Sequence, residues 1–206
     1  MNDEIIIIEK PEWITWREIQ QVLLSAHGEN RKKGINMRKP SLSDKEIAQE
    51  IEGKGVMLVA VIGKKVVGTA AVLLRKCSKW YNQGGYGYLC FAAVLPEYAG
   101  LGVYRRLCEE REKIAKDKGL KGLLFDTHHK NKHVISINRR NGFRRVAMKS
   151  CGDHWNVVMF KWLVNRPPLK LVCAFHFVYS GIILFLFQFK KRLLNSKKRV
   201  FGYLAS

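Results

Sequence analysis

An α/β domain built on a central mixed sheet is what this sequence predicts, and three stretches predict it. Tyr88 to Val94 is a short apolar run rich in aromatics, stopped by Pro96, whose missing N–H suits the end of a central strand. Behind it, Val103, Leu107 and Ile114 recur with a helical period, with Arg105, Arg106, Glu109, Glu110 and Arg111 as the polar residues between them. From Gly122 the pattern repeats as a strand through Leu123, Leu124 and Phe125, followed by a helix that closes at Asn141-Gly142-Phe143.

The remaining elements follow in chain order. Ile5 to Ile8 is a run of four β-branched residues, read as a first strand buried on both faces. Trp16, Ile19, Val22, Leu23 and Ala26 form one helical face, which Thr15 caps. Arg31 to Pro40 is a basic loop, either a solvated connection or a clamp for an anionic substrate. A second helix starts beyond it, with Ser43 as cap and Glu46 in the capping-box position. Met57 to Ile62 and Val66 to Leu74 read as a hairpin about Gly63-Lys64-Lys65, the glycine supplying a positive φ. Trp155 to Val164 is a last apolar strand. Pro167-Pro168 then marks a boundary that separates a domain over residues 1–165 from a tail over 166–206.

With 206 residues, 47% of them hydrophobic, the chain suffices for one substantial domain and an appendage. The 37 lysines and arginines exceed the 17 acids by 20 charges, a balance that attracts anions: a phosphorylated ligand, a membrane face or nucleic acid. No nucleic-acid recognition motif accompanies the charge. Cys77, Cys90, Cys108, Cys151 and Cys173 are odd in number and widely spaced, without a C-x-x-C pair, which argues for reduced thiols over a disulfide framework or a zinc site. Ile5 to Ile8 is too short for a signal-peptide core and lacks preceding basic residues, so a cytoplasmic location is expected.

Between Val94 and Leu107 the two glycines, Gly100 and Gly102, remove side chains where the backbone turns into a helix. They make either a tight connection or an anion site, since a helix start offers unpaired N–H groups and a partial positive charge. Arg105 and Arg106 add charge. The stretch resembles the signature of the GCN5-related N-acetyltransferase (GNAT) superfamily: Val94, Pro96, Gly102 and Leu107 match in place, and Glu97, Tyr98, Gly100 and Val103 are common fillings. Ala99 departs from the usual Gln or Arg, and Tyr104 from the usual Gly or Ala, and neither departure removes a backbone donor. The resemblance implies a central sheet splayed at its middle strands and flanked by helices. It also implies that Val94, Ala99, Gly100, Leu101, Gly102, Val103, Tyr104 and Arg105 bind acetyl-CoA, with the amides of 99 to 104 on the pyrophosphate.

The later block falls on the family's marks as well. Asn131 opens a helix as a plausible N-cap, Gly142 fits the left-handed C′ position, and Phe143 starts the next strand in the core. In the family this helix lies behind the cofactor, so Asn131 joins the cofactor-binding residues. The position that often holds a glutamate base in the family is Cys90 here, and the frequent tyrosine acid is Asn138, which is able to hydrogen-bond the thioester or pantetheine sulfur. Asp126, His128 and His129, at the end of the strand beside the opened one, are left as candidates for proton transfer, histidine having a suitable pKa. They are alternatively loop residues without a role, and Tyr104 is a further candidate acid. No metal is expected, because a cap at Asn131 breaks any helical face shared by His128, His129 and His133.

Leu171 to Phe189 carries no formal charge apart from His176 and is followed by Lys190-Lys191-Arg192 and Lys197-Lys198-Arg199. It reads as a membrane span, as an in-plane anchor on an anionic leaflet, or as a helix packed on the protein or on a second copy in a homodimer. The expected function is transfer of an acetyl group from acetyl-CoA to a primary amine of an unidentified acceptor, an anionic one being among the options. The alternatives are transfer of a longer acyl chain to a membrane-bound acceptor, and a CoA-binding module without catalysis.

Overall fold

The structure, a computed structural model, describes residues 4–35, 41–75, 85–152, 154–164, 178–182 and 186. Seven strands form one sheet: β1 (Ile6–Glu9), β2 (Gly55–Ile62), β3 (Lys65–Arg75), β4 (Tyr86–Val94), β5 (Gly122–His128), β6 (Arg144–Cys151) and β7 (His154–Trp162), hydrogen-bonded in the order β1-β2-β3-β4-β5-β7-β6. The described residues also form the helices α1 (Trp16–Ala26), α2 (Gly28–Lys32), α3 (Asp44–Ile51), α4 (Val103–Asp117) and α5 (Lys132–Arg140). The chain falls into two compact units, Met1–Phe125 with Phe160–Asn165, and Asp126–Met159 with Arg166–Ser206, and β5 and β7 each run from one into the other.

In the first unit β1 to β4 are consecutive antiparallel neighbours and β4 pairs parallel with β5. The parallel pairing covers Tyr86, Gly87 and Tyr88 against Gly122, Leu123 and Leu124, while β4 continues to Val94. The expected splay between the middle strands is therefore present. The continuous apolar run of β2 is explained by cover on both faces. Met57, Val59 and Val61 pack with Ile19, Leu23, Ile47 and Ile51 of α1 and α3 on one face. Leu58 and Ala60 pack with Val67, Val103 and Leu107 on the other. Gly68 is needed there, since a Cβ on it would stand 3.1 Å from Val103 Cγ1 and 3.3 Å from Leu107 Cδ1 of α4.

Local signals act as the sequence predicts at several points. Thr15 and Ser43 both build complete capping boxes, with Glu18 and Glu46. Gly63 turns the β2–β3 hairpin at φ 56°. Three expectations are corrected. β1 is not buried on both faces: it pairs with β2 alone at the sheet edge, and Ile6 is half exposed. Arg31 and Lys32 belong to the end of α2 rather than to the loop, Arg31 Nη2 donating to the Leu24 carbonyl across 2.8 Å. Residues 36–40 of that loop lie outside the described residues. Arg111 is a core residue of α4, in line with Val103, Leu107 and Ala115 at four-residue spacing. Its Nη2 donates to Cys108 Sγ at 3.1 Å, and its Nε is buried without a hydrogen-bond partner among the described residues. Burial alone would pull this guanidinium's pKa down, but Cys108, Tyr104 and Cys90 outweigh burial and hold it above its ordinary value.

In the second unit α5 begins at the N-cap Asn131 and ends before Gly142, which sits at φ 90°. Phe143 is buried, and its N–H donates to the Asn138 carbonyl at 3.0 Å. Residues 178–182 form a helical turn that meets β6 through Ser180, whose Oγ accepts from Met148 N at 3.1 Å. Val178, Tyr179 and Ile182 of this turn, and Leu186 beyond it, remain exposed. Most of 171–189 lies outside the described residues, among which no helix is long and apolar enough to cross a membrane. Cys90, Cys108 and Cys151 are free thiols, and Cys77 and Cys173 lie outside the described residues.

Candidate active site

β4 ends at Val94, Pro96–Tyr98 makes a single 3-10 turn, and the chain then passes through Gly100 at φ 83° and Gly102 at φ 76° into α4. Both glycines occupy the left-handed region, where an L side chain costs roughly 1–2 kcal/mol. Gly102 is the N-cap and so brings no side-chain acceptor to the first turn of α4, which also contains no acidic residue. Among the described residues, the amides of Gly100, Leu101, Gly102, Val103 and Arg105 meet no acceptor in the protein, the first bond of the helix being Arg106 N to Gly102 O at 3.0 Å. A Cβ built on either glycine would meet no atom within 4 Å, and Leu101 is 61% exposed. The result is an uncapped helix start with outward donors and an uncompensated positive end, suited to a phosphate or pyrophosphate. Arg105 lies beside it on the exposed surface, 3.8 Å from Glu109 Oε1.

The second feature of this unit carries no glycine or proline to announce it. On β4, Phe91 adopts φ 51°, an unusual value for a non-glycine residue in a strand. The pairing with β3 shifts there: Ala71 faces Cys90, Thr69 faces Ala93, and Phe91 and Ala92 stand against Ala70. This is a β-bulge, which re-aims the backbone groups of the central strand just beyond the point where it leaves β5. Two side chains hold it. Thr69 Oγ1 donates to the Phe91 carbonyl at 2.8 Å, and His27, at the end of α1, places Nε2 3.3 Å from the Ala92 carbonyl. A carbonyl only accepts, so Nε2 of His27 carries the proton; its Nδ1 then accepts from Asn30 Nδ2 at 3.2 Å. Burial, reinforced by the charge of Arg31, pushes the His27 pKa below its ordinary value.

In the second unit the three polar residues singled out at the end of β5 are drawn into different bonds. Asp126 Oδ2 accepts from Asn156 Nδ2 at 2.6 Å. His128 is buried, its Nδ1 accepting from Lys130 N at 3.1 Å, and its ring is stacked between those of His129 (4.6 Å) and His154 (4.5 Å). His129 is only partly buried, and its Nδ1 lies 3.0 Å from the Trp155 carbonyl. That acceptor fixes the proton on Nδ1 and leaves the lone pair on Nε2, for which the described residues provide no partner. Asn131 is the N-cap in position, but its side chain makes no cap bond; Nδ2 donates instead to Thr127 Oγ1 at 3.2 Å, which accounts for its burial. Asn138 commits one amide hydrogen to the Val134 carbonyl of its own helix at 2.9 Å. Among the described residues, no group of three or more His, Cys, Asp or Glu is arranged to hold a metal ion.

Sequence reasoning missed Thr69, Phe91, His27 and Asn30. The bulge arises from register, which pairs residues distant in sequence. His27 follows an apolar helical face and gives no sign of the carbonyl it meets.

Comparison with known proteins agrees with this geometry. The family model "Acetyltransferase (GNAT) family" matches residues 16–143. No curated protein matches the chain significantly. Solved structures show the same fold at low identity. A GNAT-family acetyltransferase from Staphylococcus aureus Mu50 is 18% identical, with 78% of this chain and 100% of that one covered at a TM-score of 0.63. The ribosomal-protein-S18-alanine N-acetyltransferase of Escherichia coli is 15% identical, with 80% and 97% covered at 0.63. An aminoglycoside 6′-N-acetyltransferase complexed with coenzyme A is 15% identical, with 79% and 99% covered at 0.60. The family match spans β2 to β5, the amide turn and α5 through Phe143, and on that ground the chain belongs to the acetyltransferase (GNAT) family and is an acyltransferase of its type.

Proposed function

We propose that this protein transfers an acetyl group from acetyl-CoA to a primary amine. The observation that carries the reading is the set of amides of Gly100, Leu101, Gly102, Val103 and Arg105, without an acceptor among the described residues, at an α4 start with no side-chain cap and no acidic residue. Acetyl-CoA supplies an activated acetyl thioester. The amides of Gly100, Leu101, Gly102 and Val103 take its pyrophosphate, the Ala99 N–H being already committed to the Pro96 carbonyl at 3.0 Å, and Arg105 adds charge beside them. Val94 delivers the strand to the turn, and the bulge at Phe91 and Ala92 aims backbone groups of β4 out of the regular ladder. The assignment of Asn131 and Asn138 to the cofactor rests on the family's motif.

Proton transfer from the amine is assigned to His129, because its Nε2 holds a lone pair and the Trp155 carbonyl fixes the tautomer. Asp126, held by Asn156, and His128, stacked and buried, are the supporting candidates. The Tyr104 phenol is a candidate donor toward the leaving thiolate. The acceptor is read as an amine that carries acidic groups, given the +20 charge and the Arg31-Lys32-Lys33 cluster. A second reading, a longer acyl chain passed to a membrane-bound acceptor, is favoured by the exposed Val178, Tyr179, Ile182 and Leu186.

The test is thiol release from acetyl-CoA against a panel of amines, repeated with long-chain acyl-CoA on anionic vesicles. Amine-dependent release from acetyl-CoA supports the first reading, and release only from the long-chain donor supports the second. CoA binding without release from either donor would leave a binding module.

A further inference from the structure

We propose that Ser136, Arg139, Arg140 and Arg144 form a binding site for the dianionic phosphate of a phosphomonoester, built from residues that the amide turn does not use. Ser136, Arg139 and Arg140 stand at i, i+3 and i+4 on α5 and so share a face. Gly142, at φ 90°, turns the chain back, and Arg144, first residue of β6, joins them. Among the described residues these four line an open cleft of about 520 Å³, within the range of small-molecule sites. Arg144 is steadied against the end of α5 by Nη1, which donates to the carbonyls of Phe143 (3.2 Å) and Arg139 (3.4 Å).

Two arginines in the last turn would complement the helix dipole. That account leaves Arg144 and Ser136 unexplained. The deciding observation is the shortage of counter-charge. Between Asp126 and Met159, and from Arg166 to Ser206, the sequence has two acids, Asp126 and Asp153, against fifteen lysines and arginines. Asp126 is engaged by Asn156, and Arg139, Arg140 and Arg144 make no ion pair among the described residues. Residues 166–206 contain no Asp or Glu side chain. Three exposed arginines that line one cleft without a carboxylate partner among the described residues favour an external anion there.

Chemistry selects the anion. Guanidinium forks match phosphate oxygens in pairs, and the serine hydroxyl supplies a further donor. A phosphomonoester carries close to two charges at neutral pH, whereas a diester carries one, so the cluster discriminates against diester lipids and nucleic-acid backbones.

The experiment titrates the full chain with adenosine 3′-monophosphate by calorimetry, with adenosine and the diester adenylyl-adenosine as controls. Binding of the monoester at least tenfold tighter than either control is expected. Arg140→Gln with Arg144→Gln should weaken it at least tenfold, and Ser136→Ala by less, with an unchanged circular dichroism spectrum. A second arm compares CoA with 3′-dephospho-CoA. Loss of discrimination in the double variant identifies the phosphate as the cofactor's, and retained discrimination assigns the site to another phosphomonoester. Absence of monoester binding, equal binding of adenosine or the diester, or binding unchanged in the double variant overturns the proposal. Because this titration needs no acyl transfer, its failure is separable from failure of the proposed activity.

Discussion

Thr69 Oγ1 donates to the carbonyl of Phe91 across 2.8 Å, fully buried, at the one point where β4 leaves its regular pairing with β3. The bond holds Phe91 at a φ of 51° that an aromatic residue does not adopt without support. Thr69→Val keeps the side-chain shape and removes the hydroxyl. We expect it to cost about 1–2 kcal/mol in denaturant unfolding, as for a buried hydrogen bond. It should also lower kcat/KM for the preferred amine while leaving CoA affinity within a factor of two, since the amide turn lies beyond the bulge. A variant with parental kcat/KM would show that the bulge serves stability alone.

Gly102 tests the turn. Apart from its chain neighbours, no atom of the described residues stands within 4 Å of a Cβ at this position, so Gly102→Val meets a backbone cost at φ 76° but no collision with them. We expect a loss of a few degrees in Tm together with at least a tenfold loss of CoA affinity, because the side chain would stand among the outward amides. CoA binding as tight as the parent's by calorimetry would refute the site assignment.

His27 links stability to pH. Its folded pKa lies below the ordinary value of about 6.5, so above that pH the ring is neutral in both states and pH has no effect through it. Below about 6.5 the unfolded chain takes up a proton that the folded protein refuses, and stability falls with acidification by at most about 1.4 kcal/mol per pH unit. The decline ends once pH passes the folded pKa. His27→Gln should flatten this limb of the profile below about pH 6.5, read from urea midpoints. An identical acid limb in parent and variant would assign the effect to another group.

Legibility in the sequence followed range. Signals that act within a few residues were readable: the cap at Thr15 and the capping box at Ser43, the φ > 0 glycines at 63 and 142, and the strand–turn–helix from Tyr88 to Leu107. Signals that depend on a distant partner were not. β1 reads as buried because four isoleucines say nothing about which edge of the sheet they occupy. Arg111 reads as surface because its charge hides its place on the helix stripe with Val103, Leu107 and Ala115. Asn131 was correctly placed at the start of α5, but its bond goes to Thr127 rather than to the helix. The bulge at Phe91 depends on register with β3, and no residue type in Leu89 to Ala93 marks it.

His129 is the sharper candidate among the residues at the end of β5. His129→Ala should lower kcat/KM at least tenfold with CoA affinity retained. His128→Asn should instead act mainly on stability, because that ring is buried and stacked on His129 and His154. If both variants keep the parental kcat/KM, deprotonation runs through water or the substrate itself.

The last prediction concerns residues 166–206. Ser180 and Gly181 meet Met148 of β6, whereas Val178, Tyr179, Ile182 and Leu186 are each more than half exposed, and basic clusters follow in sequence. A face that packs on the protein while its apolar residues turn to solvent is the arrangement of an in-plane contact, with lysine and arginine available for anionic headgroups. The full chain should therefore bind vesicles containing anionic lipid better than neutral ones, by on the order of 1 kcal/mol for each basic residue near the surface. A chain ending at Val164 should lose vesicle binding and keep CoA affinity, since the amide turn is wholly upstream. If the full chain ignores vesicles and is monodisperse without detergent, the segment packs on the protein or on a second copy. Truncation would then lower Tm or abolish a dimer seen by analytical ultracentrifugation.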